Sequence, residues 1–329
     1  MNPVLQFDGL AAVRLPPRPA HLAIGMFDGV HLGHQSVIEM AVHSARRRHG
    51  LAGALTFQPH PSVLLRPDRP TRLMMPPELK RRVLARLGID FIIEQRFTAE
   101  FARTTAVEFV AGLKRSLPGI EAVYVGENFR FGQGRAGDVA VLIERARAAG
   151  FAVYSAPRLN HNGAPIASSR VRELLVAGDV EGANALLGYT YFCEGVVEPG
   201  RRLGRTLGFP TLNLRWEPEL PPRFGVYAVT VADASGRSSP GVANYGLRPT
   251  VEAAAPRPLL EVHLLGETSL GPGARLTVRW LKFLRPEQKF GGIDELRAQI
   301  ARDREAAAGL LPGLMAQEPP RNDPGPNSA

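Results

Sequence analysis

The apolar residues of this chain change their spacing once, near Gly188, and that change constrains the architecture more than any other feature. From Leu22 to Leu187 short apolar runs alternate with amphipathic stretches: LAIGMF, GHQSVIEMAVHSARRRHG, LAGALTF, PPELKRRVLARLG and IDFIIE, then AVEFVAGLKRSLPG, EAVYVG, GDVAVLIERARAAG and FAVYSA. Runs of strand length separated by helical patterns spell βαβ units, which bury a parallel sheet under helices. After Gly188 the texture becomes YFCEGVVEPG, FPTLNLRW, GVYAVTVAD, PGVANYG, LLEVHLLG and RLTVRWLKFL, short β-rich runs punctuated by Gly and Pro. This predicts a compact antiparallel barrel, followed by one last helix in IDELRAQIARDREAAAGLL. The expected class is α/β with a doubly wound parallel sheet in residues 1–187, a β-barrel domain with a terminal helix in 188–311, and a disordered Pro-rich tail in 312–329.

The 329 residues suffice for two domains of ordinary size. An excess of 40 Lys+Arg over 31 Asp+Glu, formally +9, favours polyanionic ligands. Cys193 is the single cysteine, so neither an intrachain disulfide nor a cysteine-based metal site can form. No apolar stretch approaches the roughly 20 residues that span a bilayer, and MNPVLQFDGL lacks the pattern of an export signal. A cytoplasmic protein with no membrane partner is expected.

The first candidate site follows the strand Leu22–Met26. In IGMFDGVHLGH, Gly25 and Gly29 permit close backbone approach, and a helix opening near Gly33 turns unpaired N–H groups and a positive dipole end toward an anion. His31 and His34 stand three residues apart, so both can face one phosphate and donate to it as charge builds in the transition state. The spacing alone fits ordinary surface or core histidines equally well. At Ser168-Ser169-Arg170, hydroxyls, helix N–H groups and a guanidinium can hold a polyphosphate, although Ser168 or Ser169 also suits a simple N-cap.

The second candidate site lies in GVVEPGRRLGRTLGFPTLNL. Glycines 195, 200, 204 and 208 among arginines form a loop able to wrap a triphosphate, Gly204 at its centre. Thr211 and Asn213 alternate with Pro210, Leu212 and Leu214, so their oxygens point the same way on a strand; two neutral oxygens plus nucleotide phosphates suit Mg²⁺. Glu261 and His263 share one face of LLEVHLL, where Glu261 is either a base for a hydroxyl nucleophile or a solvated strand residue.

Taken in order, GMFDGVHLGHQ, TFQPHP, VGENFRFGQGRAGD, IASSRVRELL, PTLN, LEVHLL and RPEQKFGGIDELRAQIARD resemble the motifs of the prokaryotic bifunctional FAD synthetases, over roughly residues 20–305. The resemblance implies an N-terminal Rossmann-like HxGH nucleotidyltransferase domain that adenylylates FMN to FAD, and a C-terminal riboflavin kinase barrel that makes FMN. It implies ATP as co-substrate, riboflavin, FMN and FAD as substrates and products, and Mg²⁺ as the metal. Gly25, Phe27, His31, His34, Ser168, Ser169 and Arg170 would then hold ATP in the first domain, with His31 and His34 catalytic. Gly204, Thr211 and Asn213 would hold MgATP in the second, with Glu261 activating the ribityl 5′-hydroxyl. His60, Asn128, Phe129, Phe131 and Arg297 would lie near flavin or its phosphate. Two departures stand out: Gln58 replaces an Asp, and GETSLGPG (Gly266–Gly273) replaces a stretch ending Asp-Leu-Tyr-Gly, which is expected to alter a turn beside the barrel rather than the chemistry. The alternatives are a descendant with one degenerate site, or a basic flavin- or RNA-binding regulator. Nucleic acid is not expected as a partner, because aromatic-rich RNA motifs and long Lys/Arg blocks are lacking. Self-association is compatible with all of these.

Overall fold

The computed structural model describes residues 3–200, 208–248 and 257–316. It divides into two compact units, Met1–Leu73 with Pro77–Ala167, and Met74–Pro76 with Ser168–Ala329.

The first unit is built on a six-stranded sheet in the order β1-β4-β3-β2-β5-β6, parallel throughout. Its strands are β1 (Leu5–Asp8), β2 (Ala20–Ile24), β3 (Leu51–Gln58), β4 (Phe91–Arg96), β5 (Ile120–Gly126) and β6 (Ala152–Ala156). The short strand β1 was not foreseen from the sequence; it pairs in parallel with β4 at one edge. All five residues of β2 are buried, as a strand covered on both faces requires. Helices α1 (Leu32–Arg47), α2 (Pro61–Leu65), α3 (Pro77–Arg86), α4 (Ala106–Ser116) and α5 (Val139–Ala148) are set among the strands. Thr105 opens α4 with a full capping box to Glu108, and Asp138 caps α5 through Val141 N–H. The apolar faces of α4 and α5 meet Leu22, Ile24, Val123 and Val125 in one core. A two-residue pair, β7 (Asn160–His161) and β8 (Ala164–Pro165), completes this unit.

The second unit opens with α6 (Ser168–Ala177) and α7 (Val180–Leu187), which group with the barrel although they precede residue 187. The barrel is closed: β10 (Leu212–Leu214), β13 (Arg257–Leu264), β12 (Ser238–Arg248), β11 (Gly225–Ala232), β14 (Arg275–Arg285) and β9 (Phe192–Glu198), with β9 pairing β10 to seal it. Every pairing is antiparallel. Its interior holds large rings rather than a channel: Trp280 meets Tyr227 edge to face at 4.7 Å and is flanked by Tyr245 and Trp216.

The final helix runs Ile293–Ala316, packing Ala307 and Leu311 against Ala228 and Leu281. It corrects the expectation for the tail: Pro312–Ala316 are helical, because Leu311, Leu314 and Met315 still find apolar partners on the barrel. The remainder of the expected tail lies outside the described residues. Asp303 on this helix takes Arg285 Nη2 at 2.7 Å and Nε at 2.8 Å, with both side chains mostly buried. Removing one member of such a pair strands the other charge, so Asp303→Ala is expected to lower unfolding free energy by about 3 kcal/mol, read as a shifted urea midpoint.

Candidate active sites

In the first unit the chain moves from β2 through β3 to β4 on one side, then returns to begin β5 on the other side of β2. The carboxyl ends of β2 and β5 therefore flank a topological switch point, where open α/β sheets bind ligands. GMFDGVHLGH leaves β2 there, ENFRFG leaves β5, and PHP leaves the adjacent β3.

The turn after β2 is tightly built. A Cβ on Gly25 would meet the Phe27 ring at 2.8 Å, so glycine is needed for Phe27 to fold back and be buried. Phe27 has φ 50° and Val30 φ 38°, left-handed values that are costly for an aromatic and a β-branched residue. Gln35 Nε2 donates to Val30 O at 2.8 Å and holds that backbone in place. His31 caps α1, its Nδ1 accepting the His34 N–H at 3.3 Å. With Nδ1 an acceptor, the neutral ring carries its proton on Nε2. The rings of His31 and His34 stack at 3.7 Å and 15°, and Phe27 meets His34 edge-on. The sequence-predicted pair is thus brought together at a helix N-terminus.

Beside it, His60 caps α2, with Nδ1 2.7 Å from Ser62 Oγ and accepting Ser62 N–H at 3.1 Å. Asn128 is exposed after β5, and Phe129 is half-buried with its ring stacked on Phe131. Phe131 is a correction: it is 7% exposed, stacks on Phe129 and packs against Phe109, so its ring serves the core rather than a ligand face. Ser168, Ser169 and Arg170 form the first turn of α6, in the second unit.

One polar residue here escaped the sequence reading. Lys80, on α3, is 6% exposed and donates to Thr56 Oγ1 at 3.0 Å, while its Nζ stands 3.5 Å from Met26 O. Thr56 Oγ1 itself donates to Met26 O at 3.0 Å. Burial pushes the Lys80 ammonium below its ordinary pKa, against the opposing fields of Glu94 and Asp28. Within PELKRRVLAR it reads as one more cation on an amphipathic helix; its position three and four residues before Val83 and Leu84, on the buried stripe, was the signal.

In the second unit, antiparallel register sets Asn213 opposite Glu261, and Glu261 opposite Asn244. Leu260, Val262 and Leu264 turn inward, leaving Glu261 and His263 on the outer face. Asn213 is 7% exposed, and its Oδ1 has no hydrogen-bond partner among the described residues. A Cβ on Gly200 would stand 1.7 Å from Asn213 Nδ2, so this glycine is what admits the amide. Thr211 is exposed just before β10, and His263 Nδ1 donates to Pro210 O at 2.9 Å. Gly200, Pro210, Thr211, Asn213 and His263 line a cavity of about 770 Å³. Gly266, Glu267, Thr268 and Gly271 line it too, which corrects the expectation for GETSLGPG: the altered segment is a wall of this cavity. Arg297 is exposed, its Nη2 4.0 Å from where a Cβ of Gly208 would stand. Gly204 lies outside the described residues.

Glu287 also went unrecognised. It accepts from Asn244, and burial with the neighbouring Glu261 raises its pKa against the pull of that bond and of Arg285. Gly246 leaves room for its carboxylate, since a Cβ there would fall 1.8 Å from Oε1. Among the described residues no three His, Cys, Asp or Glu side chains cluster as a metal site; the side-chain oxygens lining the cavity include Thr211, Thr268, Glu198, Glu267 and the orphaned Asn213 Oδ1.

Two family models match the chain in succession. The family model described as FAD synthetase matches residues 14–170, and that described as riboflavin kinase matches residues 187–311. The bifunctional riboflavin kinase/FMN adenylyltransferase of Escherichia coli (strain K12) is 39% identical over 293 residues, covering 89% of this chain and 93% of the relative. The protein of the same name from Bacillus subtilis (strain 168) is 36% identical over 290 residues, covering 87% of this chain and 90% of the relative. A crystal structure titled as a macrolide-efflux protein from Streptococcus pneumoniae has a TM-score of 0.84 at 26% identity, covering 93% of this chain and 98% of that one. Among the described residues of the present chain no helix is long and apolar enough to cross a membrane.

The depressed pKa of Lys80 has a measurable consequence. The unfolded chain holds this proton more tightly than the folded one, so stability rises with pH between the depressed folded value and the ordinary value of about 10.4. Lys80→Met removes that dependence: the variant's melting temperature is expected to equal or exceed that of the parent at neutral pH, with the difference shrinking as pH rises.

Proposed function

The chain belongs to the family of bifunctional riboflavin kinase/FMN adenylyltransferases, and we propose that its two sites divide that work, with FMN made on the barrel and FAD made at the histidine turn. What carries this division is that each unit holds its own constellation: the stacked His31–His34 pair in one, the Asn213–Glu261 row in the other.

For adenylyl transfer, an FMN phosphate oxygen attacks the α-phosphorus of ATP and pyrophosphate leaves. His31 presents Nε2–H to a phosphate oxygen because Nδ1 is committed to the His34 backbone, and the α1 N-terminus adds its dipole. These donors stabilise charge building on the phosphate without a covalent intermediate. Phe27 supports His34 from its edge, His60 adds a polar group after β3, and Asn128 and Phe129 border the flavin. Residues 1–187 are the segment assigned to this activity.

For the kinase, Glu261 takes the proton of the ribityl 5′-hydroxyl, whose oxygen attacks the γ-phosphorus of ATP, and ADP leaves. Thr211 Oγ1 and Asn213 Oδ1 are the oxygens that hold Mg²⁺ alongside the nucleotide; the buried, unpartnered Oδ1 fits that duty. When bound, the ion neutralises phosphate charge. Arg297 and Glu287 bear on the flavin side through the final helix and the segment before it. Residues 188–311 carry this activity. The single cysteine, Cys193, is buried with its thiol pKa pushed up by burial, which leaves it chemically inert.

The test is to incubate the purified chain with riboflavin, ATP and Mg²⁺ and separate the flavins. Both FMN and FAD are expected; FMN without FAD would leave a single-activity kinase, and no FMN would refute the barrel assignment. His31→Ala and His34→Ala are each expected to slow FAD formation from FMN by about 10² to 10³-fold while sparing FMN formation. Glu261→Ala should do the converse by about 10² to 10⁴-fold. Equal loss of both activities from either substitution contradicts separate sites.

A further inference from the structure

We infer that Lys80 is a positioning residue for adenylyl transfer, an ammonium that pins the backbone entering the His31 turn and keeps a positive charge against it. The inference rests on assigning that chemistry to His31 and His34. Lys80 Nζ donates to Thr56 Oγ1 at 3.0 Å and stands 3.5 Å from Met26 O, the carbonyl preceding left-handed Phe27. Its helix α3 packs on the turn Asp28–Val30.

Structural need does not account for a cation here. Met26 O already accepts the Thr56 hydroxyl, so no backbone acceptor would be orphaned without Lys80. Burying an ammonium is costly unless it is paired, and among the described residues no carboxylate forms an ion pair with it. Of the two acids whose fields favour the ammonium, Glu94 is engaged by Arg81 at 2.5 Å and Asp28 lies buried in the turn itself, beyond ion-pair distance of Lys80. An apolar side chain of similar length would fill the same space without that cost. What only the lysine supplies is charge in a low-dielectric setting, next to the turn that must receive a polyanion. Two strained φ angles within that turn, at Phe27 and Val30, make its geometry dependent on such anchors.

The experiment uses the full chain with Lys80→Met and Lys80→Gln, His31→Ala as reference, and measures three quantities: kcat and KM for FAD formation, the rate of FMN formation, and melting temperature. Lys80→Met is expected to cut kcat for FAD formation about 10²-fold, the scale of a misplaced catalytic group, with FMN formation unchanged. KM for ATP should stay within about threefold, and the melting temperature should not fall. Lys80→Gln keeps an N–H donor but no charge and is expected to lose nearly as much. A kcat within about twofold of the parent in Lys80→Met, full recovery in Lys80→Gln, or loss that tracks a lowered melting temperature overturns the inference. If His31→Ala itself leaves FAD formation intact, the assignment of the turn fails; if His31→Ala abolishes it and Lys80→Met does not, only the role of Lys80 fails.

Discussion

A parallel strand with parallel neighbours on both sides is the constraint on which the first unit depends. β2 lies between β3 and β5 with all five residues buried, so its polar function has to begin where the strand ends. Because the chain leaves β2 toward one side and starts β5 on the other, the loops at that edge diverge. The crevice between them receives the histidine turn, with the PHP segment of β3 alongside. Placement of the candidate catalytic groups thus follows from strand order before any side chain is considered.

The barrel reaches a comparable result by another route. Closure fills the interior with Trp280, Tyr227 and Tyr245, which excludes ligands from the inside and moves polar chemistry to the outer face. Antiparallel register then aligns Asn213, Glu261 and Asn244 across three neighbouring strands. Precision comes from ladder hydrogen bonds, and space for the Asn213 amide comes from a glycine on the neighbouring chain segment.

Much of this was legible in the sequence, and the misses have physical reasons. The change from a helix-separated to a turn-separated strand pattern exposed both architectures, and alternation in LEVHLL correctly assigned inward and outward residues, whereas in PTLN Pro210 is exposed and Thr211 precedes the strand. Strand β1 was missed because LQFD, though it alternates apolar and polar residues, is only four residues long. Phe131 was given a ligand role because an aromatic in a Gly-rich loop looks exposed; its burial against Phe109 depends on a bridge between Phe131 and Gly137 that only the folded chain creates. Lys80 was hidden among cations on a helix, since burial of a charge depends on what packs over it. The role of GETSLGPG in the cavity wall was unreadable for a similar reason: the loops after β9 and after β13 meet only once the barrel closes. Pro312 suggested a helix stop, yet packing of Leu311 and Leu314 carries the helix past it.

The two sheets also differ in what they offer to other chains. A closed barrel has each strand paired on both sides, so it presents no free ladder of backbone groups to a neighbouring molecule. The open sheet ends at β1, only four residues long, and at β6, whose Tyr154 is 50% exposed. Of the two units, the open sheet is thus the one with strand edges to pair, and both edges are short, four residues at β1 and five at β6.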